Sequence, residues 1–118
     1  MPISPLRLAV LGALLCLAMP GVAAGPLRFW NLTGATITRL ELAPAGTQDW
    51  GANQTANDPD GAVDADERLR LKGIQPGRYD VRLTDKTGRV CVVRNVEVVA
   101  DRAYAFSVSE EDLRDCRR

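Results

Sequence analysis

Histidine is absent from the chain, and most of the usual catalytic and ligand chemistry goes with it. Without an imidazole there is no Ser-His-Asp or Cys-His nucleophile system, no histidine zinc or copper site and no histidine-held haem. Cysteine is nearly as scarce, with Cys16, Cys91 and Cys116 the three present. Methionine is confined to Met1 and Met19, and the aromatics number six in 118 residues. No apolar run is long enough to span a bilayer, which needs about 20 residues. The longest, Leu8 to Ala18, follows a lone cation at Arg7 and ends at Pro20-Gly21. Val22-Ala23-Ala24 then supplies the small residues a signal peptidase requires. Residues 1–24 therefore read as a signal peptide and 25–118 as a single domain. Bulky Leu15 before Cys16 argues against a lipoprotein.

Cleavage there removes both methionines, Cys16 and one cation. The remainder is 94 residues with 14 basic and 15 acidic side chains. So balanced a charge gives no global field toward nucleic acid, and no membrane span is left after cleavage. An alanine- and arginine-rich, lysine-poor composition fits a bacterial source, so the expected location is the periplasm or beyond. In an oxidising compartment Cys91 and Cys116 read as one structural disulfide. They lack the Cys-x-x-Cys spacing of a redox-active pair.

Period-two patterning dominates the domain. Leu27 and Phe29 alternate with Arg28 and Trp30; Thr36 to Leu42 forms a second strand whose parity changes between Ile37 and Leu40, as at a bulge. Leu69 and Leu71 alternate with Arg68, Arg70 and Lys72. After Pro76-Gly77, Tyr79, Val81 and Leu83 face inward and Arg78, Asp80, Arg82 and Thr84 outward. Asp85 to Gly88 turns a hairpin into a return strand in which Val90 and Val92 face inward, and Val96 and Val98 follow. Asp101-Arg102 turns again, and Tyr104, Phe106 and Val108 form a last inward-facing strand. Ser109 to Asp112 reads as a short C-terminal helical turn that carries Leu113 and Cys116 back onto the domain. Six or seven short strands at this spacing predict an all-β antiparallel sandwich, immunoglobulin-like or transthyretin-like.

Residues 44–66 lack any period and are rich in Gly, Pro and Ala, so they read as a long, mobile and dispensable loop. Residues 40–67 carry seven acids and no base, and residues 68–94 carry eight bases against Asp80 and Asp85. The simpler arrangement folds the acidic segment over the basic strands; the other leaves a patch exposed to a partner.

Within the acidic segment, Asp58, Asp60, Gly61, Asp64 and Glu67 fall at positions 3, 5, 6, 9 and 12 of a calcium-loop pattern. Ala56 stands at the first position, where an aspartate is normally required, and no helices flank the loop. Asp58, Asp60, Asp64 and Glu67 form at most a weak Ca²⁺ site. No other cofactor is expected. Carboxylate pairs such as Asp64 and Glu67 are of the type that does acid–base work, but a mobile acidic loop offers no burial or defined cleft to separate their pKa values. Tyr79, Tyr104 and Phe106 read as core. Trp50, in the polar segment, is the aromatic available for contact with a protein partner, or for capping one end of the sandwich. Asn31-Leu32-Thr33 and Asn53-Gln54-Thr55 match the three-residue glycosylation sequon.

Asn31-Leu-Thr-Gly, the run Leu40 to Gly51 with its Gly-Thr-Gln-Asp-Trp-Gly, and Pro76-Gly-Arg-Tyr-Asp-Val-Arg82 entering the Asp85–Arg89 hairpin succeed one another in order. This pattern resembles a family of small secreted proteobacterial proteins of unknown function, recognised by a Gly-x-x-x-Trp-Gly loop and a Tyr-Asp-x-Arg strand. The resemblance covers about 60 of the 94 residues. It implies secretion and a sandwich fold, and it brings no catalytic residue. The long acidic insert and the cysteine positions depart from that pattern. The function expected from all of this is a secreted, periplasmic, non-enzymatic binding or accessory module; the alternative is a small Ca²⁺-binding structural protein.

Overall fold

Strands form where the alternation is strict. The computed structural model describes residues 26–100 and 102–118; the expected signal segment and its cleavage point lie outside them. Seven strands are present: β1 (Arg28–Leu32), β2 (Ile37–Pro44), β3 (Arg68–Arg70), β4 (Gly77–Asp85), β5 (Val90–Val98), β6 (Phe106–Ser109) and β7 (Asp115–Arg117). They make two sheets, ordered β3-β1-β6 and β2-β4-β5-β7. The inward faces of both supply one core, in which Phe29 and Phe106 of the first sheet meet Ile37, Leu40, Val81 and Leu83 of the second. The fold is all-β and sandwich-like, and one pairing departs from the antiparallel expectation. β1 and β6 run parallel, from Phe29 opposite Phe106 to Leu32 opposite Ser109. A parallel pair needs a long connection. Here three strands of the second sheet, β2, β4 and β5, lie between the two in sequence.

The bulge expected in β2 is present, as a register shift between Ile37 and Arg39. The inward set of β5 is not the expected one. Cys91 and Val93, opposite Leu83 and Val81, face the core, and Val90 and Val92 lie on the outer face. Apolar side chains at both parities of Val90-Cys-Val-Val93 hid the choice; hairpin register made it. Farther along, Arg94 and Asn95 bulge opposite Asp80, with Asn95 at φ 58°. Tyr104, expected in the core, is half-buried with its ring edge-on to Trp30, centroids 5.1 Å apart.

The segment expected to be a loose loop is fastened throughout. Val63, 1% exposed, is a core residue and bridges Ile37 through two 2.9 Å backbone hydrogen bonds. Asn53 Oδ1 accepts from the Leu40 amide at 2.9 Å, Gly51 N–H donates to the Leu42 carbonyl at 2.9 Å, and Thr55 Oγ1 donates to the Thr38 carbonyl at 3.1 Å. These bonds line the free edge of β2. A 3₁₀ turn, Gln54–Asn57, continues onto the free edge of β3: Gln54 makes a two-way amide pair with the Lys72 backbone, and Asn57 donates to the Arg70 carbonyl. One connection therefore closes one side of both sheets.

The C-terminal turn is a single 3₁₀ turn, Glu110–Asp112, with Asp112 Oδ2 accepting from the Ser109 amide and hydroxyl. Leu113 packs against the core, and β7 then pairs with β5 so that Cys116 sits opposite Cys91 in a disulfide. The pairing expected from the sequence is present, delivered by an added strand.

Val63→Ala should cost about 2 kcal/mol in urea unfolding. Replacing Asn53 to Asp66 by a Gly/Ser turn should cost far more, because it also strips the edges of β2 and β3; a neutral deletion would refute the structural role of the connection. Cys116→Ala should lose about 2–4 kcal/mol, and neither Cys91 nor Cys116 of the oxidised protein should react with a thiol reagent.

Candidate functional site

The polar side chains of the two outer faces divide into those bonded within the sheets and those left to solvent. On the second sheet, Glu41 points outward from β2 yet is only 5% exposed. Its carboxylate is gripped by Arg39 Nη2 and by Arg82 Nε, both at 2.9 Å. Trp50 covers this group, its ring 4.4 Å from the Arg82 guanidinium carbon. The indole is half-buried, a lid over an ion pair that keeps one side toward solvent. Burying a carboxylate is tolerable only with such pairing.

Asp80, expected outward and solvated, is 3% exposed. The turn after β2 folds across it, so Gly46 N–H donates to its Oδ2 at 3.1 Å and Asn95 N–H to its Oδ1 at 2.9 Å. Arg94 lies 3.7 Å away. The Tyr-Asp-x-Arg run thus places its aspartate as a clamp between the bulge and the turn, and its arginine beneath Trp50.

The four carboxylates of the calcium pattern are not gathered. Asp58 Oδ2 accepts from the Asp60 amide at 2.8 Å, Asp64 Oδ1 accepts from Thr36 Oγ1 at 3.0 Å, and Glu67 Oε1 accepts from the Asp64 amide at 2.9 Å. Three of the four are thus turned to separate donors, and Asp60 contributes its amide to Asp58. Among the described residues no three Asp, Glu or Cys side chains stand close enough to hold a metal ion. The same contacts show Asp64 and Glu67 as two ends of one turn. The sequons are likewise built in: Asn31 is fully buried and donates to the Ala35 and Val63 carbonyls, and Asn53 serves the β2 edge.

The acidic segment does not fold over the basic strands. Of its seven acids, Glu41 alone forms an ion pair with a described residue. Arg68, Arg70, Lys72 and Lys86 pair with no described acid, whereas Arg78, Arg82, Arg89 and Arg94 do. Proximity in sequence misled here, because β3 turns its cations to the outer face of the first sheet while the acids of 58–67 stay beside their own turns. On that face Arg28 lies directly opposite Arg70, and Trp30 opposite Arg68. The Arg68 guanidinium carbon stands 4.1 Å from the Trp30 ring centroid, and the indole N–H donates to Asp66 Oδ1 at 3.0 Å.

A charged cluster that sequence reasoning missed ties the β4–β5 hairpin to the C-terminus. Asp85, 3% exposed, accepts from the Thr87 hydroxyl and amide and from the Arg89 amide and Nε. Arg89 also forks onto Glu110, whose carboxylate accepts from the Gly34 amide at 2.8 Å. Burial pushes the Asp85 carboxyl up, but the hydrogen bonds from Thr87 and Arg89 outweigh it and hold it below its ordinary value. The Arg89 guanidinium, with the Gly34 amide, holds Glu110 low as well. The signal available was Asp85 at the head of an Asp-x-Thr-Gly turn, a residue that bonds its own backbone two positions on.

No family model, curated protein or solved structure matches the chain. Among the described residues no helix is long and apolar enough to cross a membrane.

A group whose folded pKa is depressed adds stability that is full above its unfolded pKa and is lost as pH falls through the folded value. For Asp85 the unfolded value is near 3.8, so unfolding free energy should hold above that pH and drop below it. Asp85→Asn should flatten this acid limb in urea titrations and cost about 2–3 kcal/mol at neutral pH by weakening a charged hydrogen-bond hub. An unchanged acid limb would show that other carboxylates carry it.

Proposed function

We infer that this chain is a secreted, non-enzymatic β-sandwich that binds or supports another macromolecule in an oxidising compartment. The observation that carries this reading is the separation of charge. Acids at 49–67 and bases on β3 stand apart without pairing to each other, so both surfaces keep their charge toward solvent. A protein stabilising itself alone gains nothing from unpaired charge of both signs, whereas recognition of a partner uses it for orientation and encounter rate. Among the buried polar groups, by contrast, Asn31, Thr55, Asp80 and Asp85 bond main-chain atoms, and Glu41 is taken up by two arginines. The disulfide supports an oxidising location, and the resemblance to small secreted proteobacterial proteins agrees with it.

Trp50 is the contact residue of this reading. It stands beside exposed Asp49, and its ring rests on Arg82, so it offers a rigid amphipathic surface at an acidic rim. The calcium alternative has no supporting geometry, since Asp58, Asp64 and Glu67 bond separate donors and no three such side chains converge among the described residues.

Site-specific photo-crosslinking tests the reading in exported protein. Asp49→p-benzoylphenylalanine should give one discrete protein adduct in the native periplasm. Adding Trp50→Ala should lower its yield roughly tenfold, in line with loss of an aromatic anchor. No adduct, or an adduct indifferent to Trp50, would overturn the placement of the contact.

A further inference from the structure

The outer face of the first sheet is built in a way that its own stability does not require. Arg28 and Arg70 are direct cross-strand neighbours on β1 and β3. Like charges so placed repel at about 5 Å and weaken a sheet. Neither has an ion-pair partner among the described residues, and neither does Arg68, two positions from Arg70 on the same face. Lys72 continues the row beyond β3, also exposed. The Arg68 guanidinium carbon stands 4.1 Å over the Trp30 ring, and the indole is itself fixed by its bond to Asp66 and by the Tyr104 ring. A guanidinium stacked on a ring keeps its in-plane N–H groups free, and those match a carboxylate, phosphate or sulfate in two-point fashion.

We propose that this face binds a single chain of an anionic polysaccharide, read through its oxyanions by Arg28, Arg70 and Arg68. The proposal deepens the binding-module reading and rests on it. Three features select this occupant. The site is an open sheet face and not an enclosed cavity, so it suits an extended polymer. The Trp30 ring already carries the Arg68 guanidinium and meets the Tyr104 ring edge-on, so the aromatic in the arginine row is taken up by the protein itself and is not a bare stacking platform for nucleic acid bases or neutral sugars. Asp66 stands at one end of this row, its carboxylate bonded to the Trp30 indole. It would meet any broad anionic membrane laid over the sheet, whereas one polymer strand runs along the arginines and past it.

Isothermal titration of the exported protein with polygalacturonate tests this, with single-stranded DNA, phosphatidylglycerol vesicles and neutral dextran as comparison probes. The expected result is saturable binding to polygalacturonate that weakens roughly twentyfold between about 50 and about 200 mM salt, as for some three neutralised charges. The double variant Arg28→Gln with Arg70→Gln should weaken binding at low salt at least tenfold and lower the logarithmic salt slope by about 2. Its melting temperature should equal or exceed that of the parent, since a repulsive pair is removed, so loss of binding would not reflect unfolding. Lys86→Gln, on the distant hairpin, removes one cation and should leave binding unchanged. The proposal is overturned by no binding to polygalacturonate at low salt, by binding indifferent to the double variant, by equal loss in Lys86→Gln, or by tighter binding to DNA or vesicles. If polygalacturonate fails while the Trp50-dependent adduct persists, this occupant falls and the binding-module reading stands.

Discussion

The free edge of β2 is the constraint on which the rest of the structure turns. An eight-residue strand at a sheet edge presents unpaired amides and carbonyls that must find water, a partner chain or their own polypeptide. This chain supplies the partners itself. Gly51, Asn53 and Thr55 bond Leu42, Leu40 and Thr38 in turn, and Val63 bridges Ile37. Each contact reads one residue pair farther along the strand, so the connection runs alongside β2 almost as an eighth strand made of side chains. Gln54 and Asn57 then do the same for β3. The opposite edge needs less cover. β7 is three residues long, fully exposed and charged at Asp115 and Arg117, which makes it a poor template for edge pairing.

The same geometry explains where the charge lies. Because residues 53–57 are committed to two sheet edges, the acids that follow them are fixed beside their own turns and cannot sweep over the cations of β3. Those cations remain on the outer face of the first sheet, while Glu41, which lies within β2, is drawn into the Arg39–Arg82–Trp50 stack. Surface chemistry is thus a consequence of edge protection. A shorter connection would leave β2 open and place the acidic residues elsewhere.

Strand periodicity, the bulge in β2, the Asp85–Gly88 hairpin and the Cys91–Cys116 pairing were all legible in the sequence. Each depends on near neighbours or on simple counting: alternation over four to eight residues, one parity break, one turn motif, two cysteines in an oxidising setting. The absence of histidine was equally decisive about which catalytic chemistries are closed to the chain. Where both parities carried apolar residues, as in Val90-Cys-Val-Val93, the pattern had no power to choose, and pairing with Val81 and Leu83 chose.

Tertiary structure alone decided the state of residues 44–66, and the reason is physical. Their apolar content is mostly alanine and they lack a period, so nothing in the string distinguishes a slack loop from one bonded through side chains to a distant strand edge. Val63 is one valine in an acidic stretch until Ile37 is beside it; Asp80 alternates outward until Gly46 folds across it. Spacing suggested a calcium loop, but ligands must converge in three dimensions, and here the backbone amides nearby claimed the carboxylates first. Likewise the Arg28–Arg70 opposition joins residues 42 positions apart, which only the β1–β3 register brings together. Local pattern encodes which segments are strands and which thiols pair. What those strands expose depends on register and edge cover, because both are set by contacts between residues far apart in the chain.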